Sequence, residues 1–279
     1  MKILQKAVET RSEARAAKLQ GKRVGFVPTM GALHDGHVSL VRAARAQSDF
    51  VVASIFVNPT QFGPNEDLTK YPRTFEADRK KLEAEGVDLL FAPSVEEMYP
   101  TGAVTFVTTE GITDRLDGSS RPGHFRGVTT VVAKLFHIVE PDVAFFGQKD
   151  AAQVAIIGRM VRDLMFPVEI VVAPIVREPD SLALSSRNAY LSPAERNQAT
   201  VLSRALHEVE ARYRAGEHSS IKLIEAARQV FSSEPSVRVD YIEVVDPDTL
   251  EAVSQAPRGT LVAVAAFVGM TRLIDNVVL

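Results

Sequence analysis

The sequence predicts an open, doubly wound parallel α/β sheet followed by a smaller α+β domain. Three observations predict it. Short apolar runs bounded by turn residues recur up to Val176, stretches with apolar residues at helical spacing alternate with them, and the pattern changes character from Arg177 onward. After an N-terminal helical stretch, Arg23 to Val27 reads as a strand that meets Pro28, Met30 to Gly36 as a Gly-punctuated loop, and HVSLVRAARAQSD as a helix. Phe50 to Val57 follows as a second strand, so the segment is a βαβ unit, the signature of a parallel sheet. Val87 to Phe91, Val104 to Thr108 and Val143 to Phe146 are further strand candidates, Thr129 to Val139 and Ala151 to Leu164 helices, and Val168 to Val176 the last strand of this sheet. Beyond the loop Arg177 to Leu191, Ser192-Pro193-Ala194-Glu195 supplies an N-cap, a proline at the first helical position and a capping-box glutamate. Two helices, Val237 to Val245, a turn at Asp246-Pro247-Asp248, Leu261 to Val268 and the closing RLIDNVVL then suggest antiparallel strands. The expected domains are residues 1–176, which carry the ligand site, and 177–279, which act as a lid.

At 279 residues and 46% hydrophobic the chain can bury two cores. A charged fraction of 24% and a net charge of −3 give no global positive field to gather nucleic acid or an anionic membrane, so neither is an expected partner. The absence of cysteine excludes disulfide frameworks, thiolate metal sites and cysteine nucleophiles, and fits a cytoplasmic protein. The N-terminus lacks the apolar stretch of a signal peptide, and Leu261 to Met270 falls well short of the roughly 20 residues that span a bilayer.

Chemistry is concentrated in a few segments. TMGALHDGH, residues 29 to 37, lies where the first strand hands the chain to its helix, so backbone N–H groups and the helix dipole favour a phosphate there. Gly31 and Gly36 have P-loop spacing, yet His37 stands where lysine is needed and Val38 where Ser or Thr is needed, so the Walker reading fails. His34 and His37, three apart at a helix start, can both aim at one ligand and donate to phosphate oxygens, whereas as zinc ligands they supply only half a tetrahedral shell. FFGQKD, residues 145 to 150, repeats the strand-to-helix placement; Lys149 is a mobile cation for phosphate, and Asp150 with Gln153 has the spacing of a capping box. LALSSRN, residues 182 to 188, offers Ser185, Ser186 and the donor fork of Arg187. Asn58-Pro59-Thr60-Gln61 and SRPGHFRG, residues 120 to 127, are weaker signals, and His137, His207 and His218 read as structural or solvated.

Taken together and in order, PTMGALHDGH, FVNPTQF, YPRT, SRPGHFRGV, FGQKD, LALSSRN and RLIDN closely resemble the pantothenate synthetase family. The resemblance implies a Rossmann-like fold of the nucleotidyltransferase-like superfamily, in which His34 and His37 take the place of the "HIGH" signature and LALSSRN that of the mobile "KMSKS" loop. It implies an enzyme that makes pantoyl adenylate from pantoate and MgATP and passes the pantoyl group to β-alanine. It places ATP against Met30, Gly31, Ala32, Leu33, His34, Asp35, Gly36 and His37, against Gly147, Gln148, Lys149 and Asp150, and against Val176, Leu184, Ser185, Ser186 and Arg187. It places pantoate against Gln61 and Gln153, makes His34, His37 and Lys149 catalytic with His37 as an acid at the leaving group, suggests Asp78 for magnesium, and implies a homodimer. Ser181 departs from the pattern, standing where the family has glycine; glycine tolerates a positive φ that serine resists, so either the loop takes another path or its closure changes. Three alternatives compete. A nucleotidylyltransferase would leave a stable dinucleotide-like product, a nucleotide sensor would bind ATP without amine-dependent AMP, and a dinucleotide oxidoreductase lacks its GxGxxG after the first strand.

Overall fold

The computed structural model of the chain describes residues 1–279 apart from Asn65 and Asp67. In chain order its elements begin with β1 (Lys2–Leu4), α1 (Ala7–Leu19), β2 (Val24–Thr29), α2 (Asp35–Gln47) and β3 (Phe50–Ile55). There follow α3 (Phe75–Ala84), β4 (Leu89–Phe91), α4 (Val95–Met98), α5 (Asp117–Ser120), α6 (His124–Val139), β5 (Val143–Gly147), α7 (Ala151–Asp163) and β6 (Glu169–Ala173). Next come α8 (Pro193–Gln198), α9 (Val201–Arg214) and α10 (Ser220–Phe231), then β7 (Val237–Val245), β8 (Leu261–Val268) and β9 (Thr271–Val278). The chain divides into two units: Met1–Thr113 with Arg121–Gly147 and Ile156–Ala173, and Pro174–Leu279 with Asp114–Ser120 and Gln148–Ala155. Among the described residues, no helix is long and apolar enough to cross a membrane.

The first unit holds a parallel sheet in the order β1-β4-β3-β2-β5-β6. Its strands are apolar runs because helices cover both faces. On one face Leu40 and Val41 of α2 and Leu82 of α3 pack with Val27, Val51, Leu90 and Phe145. On the other, Phe136 of α6 meets Phe26, Phe146 and Phe166 edge-on at 5.7–6.5 Å. Each such fully buried side chain contributes about 1.5–3 kcal/mol. The strand order reverses between β2 and β5, so Thr29 and Gly147, at their carboxyl ends, flank the switch point where ligands of open α/β sheets bind.

Sequence and structure part company in three places. Val104 to Thr108 alternates like a strand but, among the described residues, pairs with none: Thr130 Oγ1 accepts the Val107 N–H at 3.0 Å, Thr129 Oγ1 donates to the Val107 carbonyl at 2.7 Å, and Val104 is 82% exposed. Side chains of α6 thus replace the ladder. Strand β1 lies at the start of the stretch expected to be helical; its three residues are too few to show a period, and they pair in parallel with β4. Strand β2 runs through Pro28 to Thr29, because its ladder to β5 covers only Gly25 and Phe26 and the absent N–H of Pro28 interrupts nothing there.

The second unit packs α9 and α10 on an antiparallel sheet β7-β8-β9, with Leu202, Leu206, Leu223, Phe231, Val262, Val264 and Leu273 in its core. Helix α8 starts as expected: Ser192 Oγ accepts the Glu195 N–H at 3.4 Å, and Glu195 accepts the Ser192 N–H at 2.8 Å. Residues 176 to 184 form a tight hairpin, with Leu184 N–H on the Val176 carbonyl at 3.0 Å and Ser181 N–H on the Glu178 carbonyl at 2.8 Å. Ser181 sits at φ +72°, so the serine takes the left-handed backbone that glycine tolerates best. That conformation costs a non-glycine residue about 1–2 kcal/mol. Ser181→Gly therefore relieves strain while adding about 0.5–1 kcal/mol of unfolded-state entropy; the expected net is a thermal midpoint about 1–3 °C higher, read by calorimetry, and an unchanged or lower midpoint overturns it.

Candidate active site

The expected site residues fall into two groups, one in each unit. Met30 to His37, Gln61, Asp78 and Gly147 belong to the first, and Gln148 to Asp150, Gln153, Val176 and Leu184 to Arg187 to the second.

In the first unit the loop between β2 and α2 turns through two consecutive left-handed residues, Gly31 at φ +85° and Ala32 at φ +52°. Asp78 of α3, 1% exposed, holds this shape: its carboxylate accepts the Ala32 N–H at 2.9 Å, the Leu33 N–H at 2.8 Å and the Thr74 hydroxyl at 3.0 Å. A Cβ on Gly31 would lie 3.2 Å from that carboxylate. The suggested magnesium ligand thus has a bracing task. Among the described residues no three His, Asp or Glu side chains converge to cage a metal.

The loop delivers His34 as the N-cap of α2. Gly36 N–H donates to His34 Nδ1 at 3.2 Å, His34 N–H donates to His37 Nδ1 at 3.3 Å, and the two rings lie 4.2 Å apart. A ring nitrogen that accepts a backbone N–H offers no proton of its own there, so these contacts favour the tautomer with its hydrogen on Nε2. Protonating Nδ1 would oppose the backbone donors and the positive helix end, as at other neutral imidazoles set by a helix N-terminus. The pair therefore donates hydrogen bonds at a helix start suited to anions.

Gln61, 8% exposed, ends a short 3₁₀ turn, Pro59–Gln61, capped by Asn58. Its amide accepts from Asn58 Nδ2 at 3.0 Å and donates to Met30 Sδ at 2.9 Å, which links it to the loop after β2. Asn58 also donates to the Gly127 carbonyl at 3.1 Å and accepts from the Tyr99 hydroxyl at 2.9 Å; burial pushes that phenol up. A Cβ at Gly127 would fall 2.3 Å from the Thr60 carbonyl, so only glycine lets α6 approach this turn. Two residues that sequence reasoning left in a weak motif complete the support. His124 Nδ1 donates to the Gln61 carbonyl at 2.8 Å, and Arg121 donates to His124 Nε2 at 3.0 Å and to both oxygens of Glu66 at 2.6 and 2.9 Å.

In the second unit Gln148–Asp150 is a 3₁₀ turn leading into α7, with Lys149 Nζ 3.7 Å from Asp150 Oδ1 and Gln153 half-buried one turn further on. Asn276, which sequence reasoning gave no task, donates to the Gln148 and Lys149 carbonyls at 2.9 and 3.0 Å. Val176 opens the hairpin that leads to Leu184. Ser185 caps the 3₁₀ turn Ser186–Tyr190 by accepting the Arg187 N–H at 3.2 Å, while Asn188 donates to Glu178 at 3.0 Å and to the Ala183 carbonyl at 3.1 Å.

Comparison with known proteins agrees with the resemblance read from the motifs. The family described as Pantoate-beta-alanine ligase matches residues 2–278. The pantothenate synthetase of Koribacter versatilis is 58% identical over 279 residues, covering 100% of this chain and 96% of that one, and that of Acidobacterium capsulatum is 66% identical over 258 residues, covering 92% and 86%. The crystal structure of pantothenate synthetase from Thermus thermophilus superimposes with a TM-score of 0.94 at 49% identity over 99% of both chains. That of pantoate-beta-alanine ligase from Francisella tularensis, complexed with beta-gamma ATP and beta-alanine, does so with a TM-score of 0.81 at 33% identity over 100% of this chain and 97% of that one.

The support beneath Gln61 has a pH signature. Burial pushes the Glu66 carboxyl up, but Arg121's hydrogen bonds and charge more than offset this and hold it below the usual carboxylate range. A depressed carboxyl stabilises the fold above its ordinary titration point and loses that contribution as the pH falls through the lower folded value. Arg121→Ala is therefore expected to cost about 2 kcal/mol at neutral pH, with the gap to the parent closing below about pH 4. Urea unfolding across pH checks this, and a gap that stays constant overturns it.

Proposed function

The chain belongs to the pantoate-beta-alanine ligase family, and we propose that it condenses (R)-pantoate with β-alanine through a pantoyl adenylate, with the residues described above as its machinery. In the first half-reaction a pantoate carboxylate oxygen attacks the α-phosphorus of ATP and the bond to pyrophosphate breaks. In the second the β-alanine amine attacks the acyl carbon of the mixed anhydride, AMP leaves with the bonding electron pair, and the amine gives up a proton. ATP is a co-substrate and magnesium enters with it as the MgATP complex.

The observation that carries this reading is the His34–His37 pair, two rings held through Nδ1 at the start of α2. Donors fixed before the reaction offset charge that develops on phosphate oxygens without reorganising. The His34 N–H on His37 Nδ1 leaves Nε2 as the ring atom that donates to the leaving group, which suits either a hydrogen-bond donor or the acid that the resemblance implied. Lys149, Ser185, Ser186 and Arg187 supply cationic and hydroxyl donors for the phosphates and the departing pyrophosphate. Met30 to His37, Gly147 to Asp150, Val176 and Leu184 to Arg187 are read as the ATP contacts. Gln61 and Gln153 suit pantoate because an amide donates to a carboxylate and accepts from hydroxyls; for Gln61 the support from buried Asn58 and half-buried Tyr99 and His124 favours that role.

The same reading makes the protein cytoplasmic, in keeping with its lack of cysteine, and homodimeric, with the exposed Val104 and Phe106 as apolar surface available to a second copy. Sedimentation velocity tests the dimer, and a monomer at micromolar concentration rejects it.

The test of function is AMP and pyrophosphate release from MgATP and (R)-pantoate with and without β-alanine. Steady AMP that requires β-alanine is expected, with at most one turnover of pyrophosphate in its absence; ATP binding without amine-dependent AMP overturns the assignment. For His37→Ala a loss of about 10²- to 10³-fold in adenylation is expected.

A further inference from the structure

The motif RLIDN, residues 272 to 276, has no task in the proposed reaction, yet its last two residues are among the most buried polar groups of the second unit. Asp275 is 2% exposed and Asn276 3%. They are consecutive on β9, which pairs on one side with β8, Val264 opposite Asp275 and Ala263 opposite Asn276. Consecutive strand residues project to opposite faces, and an edge strand in this sheet normally buries one face and wets the other. Burying polar side chains on both faces carries a desolvation cost that only full hydrogen bonding offsets.

Both side chains are fully engaged, each by a different functional segment. Asn276 Nδ2 donates to the Gln148 carbonyl at 2.9 Å and the Lys149 carbonyl at 3.0 Å, and its Oδ1 accepts from Gln148 Nε2 at 2.9 Å. Three bonds from one amide thereby fix the backbone on which Lys149 stands. Asp275 takes the Arg177 guanidinium in a two-pronged contact at 2.6 and 2.9 Å and accepts the Asn276 N–H at 2.8 Å. Arg177 in turn donates to the Ser181 carbonyl at 3.0 Å, closing the hairpin whose second arm runs on to Leu184–Arg187.

We propose that β9 is a two-sided clamp for the phosphate-binding segments: Asn276 is a positioning residue for Lys149, and Asp275, through Arg177, for residues 184–187. The inference rests on the reading that Lys149 and Arg187 act on the phosphates of ATP. A 3₁₀ turn and a nine-residue hairpin have little rigidity of their own, and a displacement of about 1 Å in a group that stabilises a transition state can cost about 100-fold in rate. A clamp of this kind acts on kcat for adenylation and leaves the pantoate KM in place.

The experiment is pantoate-dependent ATP–pyrophosphate exchange on Asn276→Asp, which keeps the shape but has no N–H for the two carbonyls, and on Asn276→Ser, which keeps one donor. Val278→Ala, an exposed position on the same strand, is the control. Expected are a fall in kcat of about 10- to 100-fold for Asn276→Asp with a smaller fall for Asn276→Ser, an unchanged pantoate KM and parent-like exchange in the control. Should Asn276→Asp fail to fold, Asn276→Ser decides. In a Lys149→Ala background the Asn276 substitution is expected to cost less than about twofold, since its effect passes through Lys149. Arg177→Lys, which keeps the charge but loses the fork, is expected to be non-additive with Arg187→Ala in the same way. Parent-like kcat in folded Asn276 variants, or losses that multiply in the Lys149→Ala background, overturn the clamp while leaving the phosphate reading intact. Lys149→Ala with parent-like exchange overturns the phosphate reading itself, and the clamp with it.

Discussion

The carboxylate of Asp78 is the constraint on which the first unit's chemistry depends. A charge 1% exposed is tolerated only if its oxygens are satisfied, and here two backbone N–H groups of the loop and the Thr74 hydroxyl satisfy them. The arrangement is reciprocal. The loop needs an acceptor because its left-handed turn at Gly31 and Ala32 takes those N–H groups out of any helix or ladder, and Asp78 needs the loop because α3 offers its side chain no water. Lys81 of the same helix donates to the Leu33 carbonyl, so acceptor and donor of the loop are both held by α3. The entry of the chain into α2, and with it the capping geometry of His34, follows from this contact.

That geometry decides what the histidines can do. A histidine with an unconstrained ring can serve as acid or base near neutral pH, but one whose Nδ1 accepts a backbone N–H is biased toward a single tautomer. Two such rings 4.2 Å apart would repel each other as cations, and the positive end of α2 adds to that cost. The local field at the start of α2 therefore comes from oriented dipoles. Full charges are assigned to Lys149 and Arg187, which agrees with a chain whose net charge of −3 supplies no attraction of its own for an anionic nucleotide.

Much of this was legible in the sequence, for physical reasons. Buried parallel strands are continuous apolar runs, so β2, β3 and β5 stood out, and Ser192-Pro193-Ala194-Glu195 announced α8 through local chemistry alone. His34, His37, Lys149 and Gln61 were singled out because the carboxyl end of a strand in an open α/β sheet is where side chains meet ligands. What escaped were partners distant in sequence. Asp78 reads as any acidic residue on a helix, since nothing local says that its oxygens face a loop 45 residues earlier. Val104 to Thr108 has the period of a strand, yet a period says nothing of whether a neighbour is present, and Thr129 and Thr130 take the neighbour's place. Ser181 drew notice on propensity, and the structure places it at φ +72° in a hairpin that Arg177 also bonds.

The same separation in sequence bears on how the second unit acquires its function. Gln148 and Lys149 are fixed by Asn276 across 128 and 127 residues, and Arg177 by Asp275 across 98. Contacts of that span form only after the intervening chain has been ordered, because loop-closure entropy is spent before they repay it. Strand β9 belongs to the sheet that packs with α9 and α10, so the lysine turn and the arginine of the hairpin are tied to that core through Asn276 and Asp275. A polar pair on one edge strand thereby gives the segments assigned to the phosphates hydrogen-bond partners on either face of that strand.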